Sequence, residues 1–335
     1  MKIKKVVMLV IMVTGIISAL LGCSASPAVN DGAQEMMDDS RLHETREIKE
    51  SSVLYSMSEN YFDVTMAGPS GILVVNDRIL VTDSDDNCIY IFSNKGELIN
   101  AIGKTGNAEI QFLSPGQVVY ENNKYYILDS GNSRVQILDE NFEYLNEVKL
   151  TPIEDFNSDC KYQDLIVDKD GNIYLSVYAI APNYAKIFKV TPDDIIHEIG
   201  SNLIGYLEVV DSLPYFINYK TLYYAQEGIQ EQTYVLTYEN RLEQIRDNSM
   251  ETVGELPFGY NPSDFATDGT DIFIYSERFF TLDRFDKEGN YLETLYQFDH
   301  NVGIKYLAYD KVTNSIYASV PTEGKVYRFS PEQVE

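Results

Sequence analysis

A unit of three apolar β-strands recurs along this chain, and the repeat restricts the folds that the chain can adopt. The two clearest copies are residues 125–145, YYILDSGNSRVQILDENFEYL, and residues 79–98, ILVTDSDDNCIYIFSNKGEL. Each copy has an apolar strand ending in Asp-Ser, a short polar loop, a second strand, a turn and a third apolar run. Short apolar runs bounded by turn residues are typical of β-strands, so the unit is a β-meander.

The number and spacing of the repeats predict the architecture. We place the end of the second strand of each unit at Asp83, Asp129, Ser176, Ala225, Ser276 and Ser319. The third strands then begin near Ile89, Val135, Ile187, Val235, Leu282 and Val326. The largest spacing is 51 residues, from Ala225 to Ser276, and the smallest is 43, from Ser276 to Ser319. Six such units, with four short antiparallel strands each, predict an all-β, six-bladed β-propeller.

Two of the units resemble the NHL-repeat propellers. The second unit carries Pro115-Gly116, then Asp129-Ser130-Gly131-Asn132, then Arg134-Val135, which match the entry, strand end and Arg position of that family. The first unit matches at Pro69 and Asp83-Ser84, with Cys88 at the Arg position. The third and fourth units depart from the pattern through a longer loop and a missing Pro-Gly entry. The resemblance implies the propeller fold, and propellers of this kind host both binding and catalysis.

The last repeat lacks a fourth strand of its own. Its third strand ends at Phe329, and the few residues that follow are too short for a turn and another strand. An open sheet edge favours aggregation, so another part of the chain is expected to cover it. The segment Ile48–Tyr55, IKESSVLY, precedes the first unit and contains apolar residues. We predict that this N-terminal segment supplies the outer strand of the last blade.

The N-terminus carries a targeting signal. Three lysines precede an apolar run, Val6 to Leu21, of signal-peptide length. The run ends in Leu20-Leu21-Gly22-Cys23, which resembles the bacterial lipoprotein signal. That resemblance implies cleavage before Cys23, diacylation of this residue, and a lipid-anchored protein on the extracytoplasmic face of the cell membrane. The alternatives are an ordinary signal peptide and an uncleaved anchor. We predict a signal peptide at 1–22, a flexible tether at 23–44 and the propeller at 45–331.

Charge and composition exclude some partners. The chain has 26 basic and 52 acidic residues, a net charge of -26, which repels nucleic acid. His43, His197 and His300 are isolated in the sequence, so a histidine-ligated zinc site is not expected. Cys88 and Cys160 fall in the first and third units, and we expect free, buried thiols. We expect a monomer.

Polar residues are predicted to converge at one mouth of the central channel. In an antiparallel meander the innermost strand begins on the face where the second strand ends. The residues predicted at the start of the innermost strands are Gly71, Gln117, Asp164, Asp264 and Lys305. The residues predicted at the end of the second strands are Asp83, Asp129, Ser176, Ser276 and Ser319. From these we select six binding candidates: Asp83, Gln117, Asp129, Asp164, Asp264 and Lys305. For Asp83 and Asp129 the alternative role is to cap loops by accepting backbone N–H groups.

Two functions remain open. The first is a binding module without catalytic residues or a cofactor, which presents one face to a protein, peptide or glycan; the 26 tyrosines suit such a contact surface. The second is a metal-dependent lyase or lactonase-like enzyme, of the kind that similar propellers perform. Its Ca²⁺ or Mg²⁺ ion would be held by Gln117, Asp164 and Asp264. The calcium-loop-like stretch Asp168–Asn172 lacks the later acidic ligand and is interpreted as a hairpin turn.

Overall fold

A computed structural model describes residues 55–59, 61–150, 160–179, 184–201, 204–220, 223–225, 234–236, 240–257 and 260–332. These residues form six four-stranded antiparallel sheets, the blades, and one two-stranded hairpin. The innermost strands of successive blades contact one another around a closed ring. Within this described part, no helix is long and apolar enough to span a bilayer.

The first three blades follow the meander order, from the innermost strand outward. Blade 1 contains β2 (Pro69–Val75), β3 (Arg78–Asp83), β4 (Cys88–Ser93) and β5 (Leu98–Ile102). Blade 2 contains β6 (Pro115–Glu121), β7 (Lys124–Asp129), β8 (Arg134–Asp139) and β9 (Tyr144–Lys149). Blade 3 contains β10 (Cys160–Val167), β11 (Ile173–Ala179), β12 (Tyr184–Val190) and β13 (Ile196–Ser201).

The other three blades include an insertion and a closing strand. Blade 4 contains β14 (Ile204–Val210), β15 (Leu213–Lys220), β18 (Arg241–Arg246) and β19 (Ser249–Glu255), and an inserted hairpin of β16 (Tyr223–Ala225) and β17 (Tyr234–Leu236) follows β15. Blade 5 contains β20 (Pro262–Thr267), β21 (Asp271–Ser276), β22 (Thr281–Asp286) and β23 (Tyr291–Gln297). Blade 6 contains β24 (Leu307–Asp310), β25 (Ser315–Val320) and β26 (Lys325–Pro331), with β1 (Tyr55–Ser58) outermost.

Burial explains why the second strands are continuous apolar runs. Every residue of β21 and β25 is buried, and β3 and β7 are buried except at their first residue. Each blade packs against a neighbour on both sides, so both faces of its second strand leave water. Burial of apolar surface on both faces is the main source of stability in this arrangement.

The two faces of the propeller differ in their connections. We call the face where innermost strands begin and second strands end the mouth face, and the other the turn face. On the turn face, connections are two to five residues long, and Asn76-Asp77 and Asn122-Asn123 adopt the positive φ that two-residue hairpins need. The mouth face carries longer connections, such as residues 103–114 between β5 and β6, and also the inserted hairpin.

The N-terminal closing strand is confirmed, but its position was predicted too early. Strand β1 pairs with β26 in antiparallel register, with Tyr55 opposite Pro331 and Ser58 opposite Arg328. Tyr55 and Met57 pack against the core, whereas the alternating serines face outward. The predicted segment overlaps this strand only at Tyr55. The prediction relied on the apolar residues before Tyr55, whereas the strand follows the period-two alternation of YSMS. Residues 48–54 lie outside the described part of the chain.

The repeat register was correct in blades 1, 2 and 5 and wrong in blade 4. Asp83, Asp129 and Ser276 end second strands as predicted. Ala225 and Val235 belong instead to the inserted hairpin, where Ala225 pairs with Tyr234. The hairpin strands have the same aromatic and apolar composition as blade strands, so the spacing alone did not separate them. Ser176 and Ser319 lie inside their second strands, which end at Ala179 and Val320.

Smaller predictions can also be placed. Cys88 is a buried free thiol, as expected. The side chain of Cys160 lies outside the described part, as do His43, Cys23 and the predicted tether. The Asp168 carboxylate accepts the Asp170 and Asn172 amides at 3.0 and 2.9 Å within the β10–β11 connection, which confirms the hairpin turn.

Candidate functional site at the mouth of the channel

Equivalent residues of the innermost strands, or in blade 6 just before β24, form two rings around the axis. The triplets Pro69-Ser70-Gly71, Pro115-Gly116-Gln117 and Pro262-Ser263-Asp264 sit at the same register shift in their blades. The third position of each triplet forms the inner ring: Gly71, Gln117, Asp164, Tyr206, Asp264 and Tyr306. The second position forms the entry ring: Ser70, Gly116, Gln163, Gly205, Ser263 and Lys305. Four of the six binding candidates therefore belong to these rings.

Asp164 and Asp264 each connect one blade to the next. The two Asp164 carboxylate oxygens accept the Leu165 amide of the same strand and the Leu207 amide of blade 4, both at 2.7 Å. Asp264 accepts the Leu307 amide of blade 6 at 2.6 Å. Both side chains are buried. Because buried backbone amides require acceptors, the two carboxyls have a structural role in holding neighbouring blades together.

These carboxyls form an electrostatically coupled group with a residue that the sequence analysis missed. Burial raises the pKa of Asp164 well above its usual range, against the effect of the two amides it accepts. Burial raises the pKa of Asp264 likewise, and the nearby Asp164 carboxyl raises it further. Glu208, two residues beyond the inner-ring Tyr206, has a pKa raised to about 7, mainly by burial. No motif marks Glu208, because its neighbours come from other blades.

Every boundary between consecutive blades has a polar contact near the rings. Gln117 hydrogen-bonds the Asp164 carboxyl. Blades 1 and 2 are joined by Thr82 Oγ1 and the Gly116 carbonyl, blades 2 and 3 by Gln117 and Asp164, and blades 3 and 4 by the Leu207 amide and Asp164. Blades 4 and 5 are joined by the Asn261 amide and Asn240 Oδ1, blades 5 and 6 by the Leu307 amide and Asp264, and blades 6 and 1 by Lys305 Nζ and Ser70 Oγ. At Gly71 a side chain would meet the Gly116 carbonyl at 2.5 Å, so this close approach requires glycine.

Two buried tyrosines fill the centre of the ring, and sequence reasoning missed both. The Tyr306 hydroxyl donates a short hydrogen bond to the Gln163 carbonyl of blade 3, which lies opposite blade 6. Tyr206 packs edge-on against Tyr306, with ring centroids 5.9 Å apart. Burial raises the pKa of Tyr306 well above its usual range, so its hydroxyl stays a proton donor. The sequence did contain a signal for these tyrosines. Tyr206-Leu207 and Tyr306-Leu307 occupy the same repeat position as Asp164-Leu165.

Lys305 is the only cation in the two rings. Its Nζ donates to Ser70 Oγ at 2.6 Å and lies 5.4 Å from the Tyr306 ring centroid. Among the described residues, no carboxylate lies within ion-pair distance of this ammonium group. Burial lowers its pKa, and the charges of Asp85 and Asp164 oppose that shift.

Asp83 holds the backbone of the mouth-face loops. Its carboxylate accepts four backbone amides, those of Ala67, Gly68, Asp85 and Asp86, at 2.8 to 3.1 Å. The side chain is completely buried. These contacts are those of a loop cap, the alternative considered from the sequence.

Asp129 has the same loop role and also holds a buried arginine. It accepts the Leu113 amide and the Arg134 Nε, each at 2.8 Å. Arg134 also contacts Glu147 at 2.7 Å and donates to the Ala108 and Gln111 carbonyls. A shallow depression of about 400 Å³ lies beside this network on the rim of blade 2, lined by Asn107, Asn132, Ser133, Arg134, Glu147 and Lys149.

The fit of a divalent cation to Gln117, Asp164 and Asp264 is poor as these residues are placed. The Asp164 oxygens and one Asp264 oxygen already face amide hydrogens, and Gln117 Oε1 accepts the Val118 amide at 3.0 Å. In the described part of the chain, no group of three or more His, Cys, Asp or Glu side chains is arranged to hold a metal ion.

Comparison with known proteins agrees with this geometry. A family model described as a 6-bladed beta-propeller matches residues 62–327. The chain belongs to this family. Membership in the six-bladed family establishes the architecture, which is a coarser statement than the NHL resemblance. A comparison with curated proteins gives no match.

Solved structures show the same fold at low sequence identity. A streptogramin B lyase structure aligns with a TM-score of 0.55 at 12% identity, covering 83% of this chain and 98% of that one. A calcium-binding regucalcin from Agrobacterium tumefaciens aligns at 0.57 and 12%, covering 84% and 96%. An auxiliary nutrient binding protein from Bacteroides thetaiotaomicron aligns at 0.53 and 8%, covering 80% and 70%. At these identities the likeness establishes the fold and nothing finer.

Proposed function

We propose that this chain is a lipid-anchored, extracytoplasmic binding module whose mouth face takes a peptide, glycan or protein ligand. The observation that carries the proposal is the inserted hairpin of β16 and β17. It contributes no strand to any blade, and it leaves blade 4 on the mouth face, between β15 and β18. An element that the propeller core does not require, inserted in a connection of the mouth face, is expected to serve recognition.

The distribution of connections and concave surface supports the same face. Turn-face connections are short hairpin turns, whereas the mouth face has the longer loops and the blade 2 depression. Loops on a rigid scaffold are the usual carriers of binding residues. The auxiliary nutrient binding protein shares the fold, and its name supports a binding role by analogy only.

Replacing the hairpin tests the proposal. In one variant, residues 221–239 are replaced by a short Asn-Gly turn. The matched control is Lys169→Ala, a substitution on the turn face. Thermal unfolding is measured with a panel of oligosaccharides and peptides. We expect compounds that stabilise the parent and the Lys169→Ala control but not the hairpin variant, whose ligand-free Tm stays near that of the parent. The proposal fails if every stabilising compound acts equally on all three proteins.

The anchor has a separate test. Cys23→Ala removes the only residue that the predicted signal can acylate. We expect the variant to leave the membrane fraction or to remain unprocessed, as measured by fractionation and mass. Normal processing with unchanged membrane association contradicts the lipoprotein prediction.

A metal-dependent enzyme is the second candidate, and one observation favours it. The Asp164 and Asp264 carboxyls influence each other electrostatically, and Gln117 contacts the first of them. Bound Ca²⁺ or Mg²⁺ would compensate the two carboxyls in their ionised form, provided that they rearrange to exchange backbone amide contacts for the cation. If this is correct, CaCl₂ or MgCl₂ should raise the Tm of the parent and not that of the Asp164→Asn, Asp264→Asn double variant. An equal response of both proteins removes this candidate.

A further inference from the structure

The ammonium group of Lys305 has unused donors at the channel entrance. A lysine ammonium carries three N–H donors. Within the described residues its only hydrogen bond is to Ser70 Oγ, at 2.6 Å. The residue is half-buried, so part of its surface remains exposed to solvent. Two donors therefore have no protein acceptor in the described structure.

A serine on the neighbouring blade is also without a partner. Ser263 occupies the entry-ring position of blade 5, next to Lys305 of blade 6, and Ser70 holds the same position in blade 1. Ser263 Oγ is buried and forms no hydrogen bond. A buried hydroxyl without a partner is unfavourable and uncommon in folded proteins. Ser263, Lys305 and Ser70 are thus consecutive in the ring and have spare hydrogen-bonding capacity.

The other polar contacts between blades do not share this property. The Asp164 oxygens are both occupied by amides, and Thr82 Oγ1 is satisfied by the Gly116 carbonyl at 2.6 Å. A neutral side chain would serve equally well to bridge blades 6 and 1 through Ser70. A cation at this position, kept half-buried at a cost in desolvation, requires a further explanation.

The surrounding charges limit what can bind there. Lys305 is influenced by the carboxyls of Asp85 and Asp164, and neither is within ion-pair distance. A ligand with two negative charges would be repelled by these acids, and neither of the two described rings contains an arginine that could bind phosphate through a bidentate fork. A single carboxylate matches one ammonium with two open donors, at the ring position next to that of Ser263.

We propose that Lys305, with Ser263, binds the carboxylate of a singly charged small ligand at the channel entrance. This proposal rests on the proposed binding function and names the chemistry of its ligand. A uronic acid and the C-terminus of a short peptide both present such a group.

Ligand pairs that differ only in the carboxylate test the proposal. Binding to the full-length chain is measured by calorimetry with glucuronate against glucose, and with N-acetyl-Ala-Ala against its C-terminal amide. We expect glucuronate or the free peptide acid to bind and its neutral partner to bind at least about tenfold more weakly. The member that binds identifies the source of the carboxylate, and inorganic phosphate is expected to compete poorly.

Variants then assign the binding to Lys305. Lys305→Gln should weaken the carboxylate ligand at least about tenfold, to the affinity of its neutral partner. Lys305→Arg keeps the charge and should retain part of the affinity, and Ser263→Ala should reduce it without changing the fold. The matched control is Lys104→Gln, an exposed lysine in the β5–β6 loop of the mouth face, which should bind as the parent does.

Five outcomes decide the question. A charge-dependent loss at Lys305 with an unchanged control supports the proposal. Equal binding of acid and neutral ligands overturns it, and so does equal binding by Lys305→Gln and the parent. If no carboxylate binds while hairpin-dependent neutral ligands are found, the proposal fails and the binding function stands. If Lys305→Gln does not fold, the Ser263→Ala result and the acid-to-neutral ratio of the parent decide.

Discussion

Asp83 and Asp129 end second strands, whereas Asp164 and Asp264 lie on innermost strands, and all four carboxyls are buried. The first pair serves its own blade: Asp83 organises loop amides, and Asp129 binds Arg134 as well. The second pair reaches across to the next blade and has no cation within ion-pair distance among the described residues. The two pairs of carboxyls are therefore equally buried but differ in their electrostatic surroundings.

The difference shows why burial alone does not identify a functional carboxylate. The inner pair has raised pKa values because burial removes water without supplying positive charge. Such perturbed groups often mark functional sites, yet here each carboxyl also completes the hydrogen bonding of another blade. The contrast predicts that the outer pair contributes more to stability at neutral pH than the inner pair does.

The largest effect is expected at Asp129. Asp129→Ala leaves Arg134, which is only 7% exposed, with Glu147 as its remaining acidic partner and leaves the Leu113 amide without its acceptor. Removing one partner of a buried ion pair costs about 3–5 kcal/mol, so we expect a loss of about 3 kcal/mol in urea unfolding.

A turn-face aspartate provides the control for Asp129. Asp286 also accepts two backbone amides, those of Glu288 and Asn290, but in an exposed turn. Asp286→Ala should cost about 1 kcal/mol. Equal losses at Asp129 and Asp286 would contradict the importance of the buried arginine.

An intermediate effect is expected from the protonation of Glu208. Its pKa is raised from 4.5 to about 7 in the folded protein. The stability that this group contributes is therefore complete below pH 4.5 and is lost as the pH rises through about 7. The shift corresponds to roughly 1–3 kcal/mol for a half-buried carboxyl.

The Glu208→Gln variant separates this contribution from other acids. We expect it to equal the parent near about pH 5 and to exceed it in unfolding free energy near about pH 8. Glu251→Gln, at an exposed position of β19, should follow the parent at both values. If the difference in unfolding free energy between Glu208→Gln and the parent grew toward acidic pH, the predicted direction of the pH dependence would be wrong.

The sequence predicted the blades far better than the ring interior. Apolar runs and turn residues are local, so Asp83 and Asp129 could be placed at strand ends and given a loop-capping role from neighbouring residues alone. The ring interior depends on residues from distant repeats. Tyr306 bonds the carbonyl of Gln163, 143 residues away, and no local pattern predicts that pairing.

The inserted hairpin shows a second limit of sequence reasoning. Its strands fall where the repeat period expects the end of one blade strand and the start of another, so Ala225 was assigned to blade 4. Only the pairing of β15 with β18, Phe216 opposite Glu243, shows that the hairpin is additional. Spacing predicts the number of repeats, and hydrogen-bond partners decide which strands belong to each.

The smallest effect is expected at the inner pair itself. Because burial raises the pKa of both Asp164 and Asp264, asparagine resembles the neutral carboxyl in shape and charge. It keeps one oxygen to accept an amide and places its NH₂ group where the protonated carboxyl has its second oxygen. We expect the Asp164→Asn, Asp264→Asn double variant to lie within about 1 kcal/mol of the parent near neutral pH. Lys305 donates its hydrogen bond to Ser70 but is also influenced by the Asp164 charge, so both single variants are compared with the double variant. Urea unfolding of both singles and the double variant checks the expectation, with Asp85→Asn at an exposed mouth-face position as the control. A loss in the double variant as large as that of Asp129→Ala would mean that the inner carboxyls are ionised and essential, and the distinction between the two pairs would no longer hold.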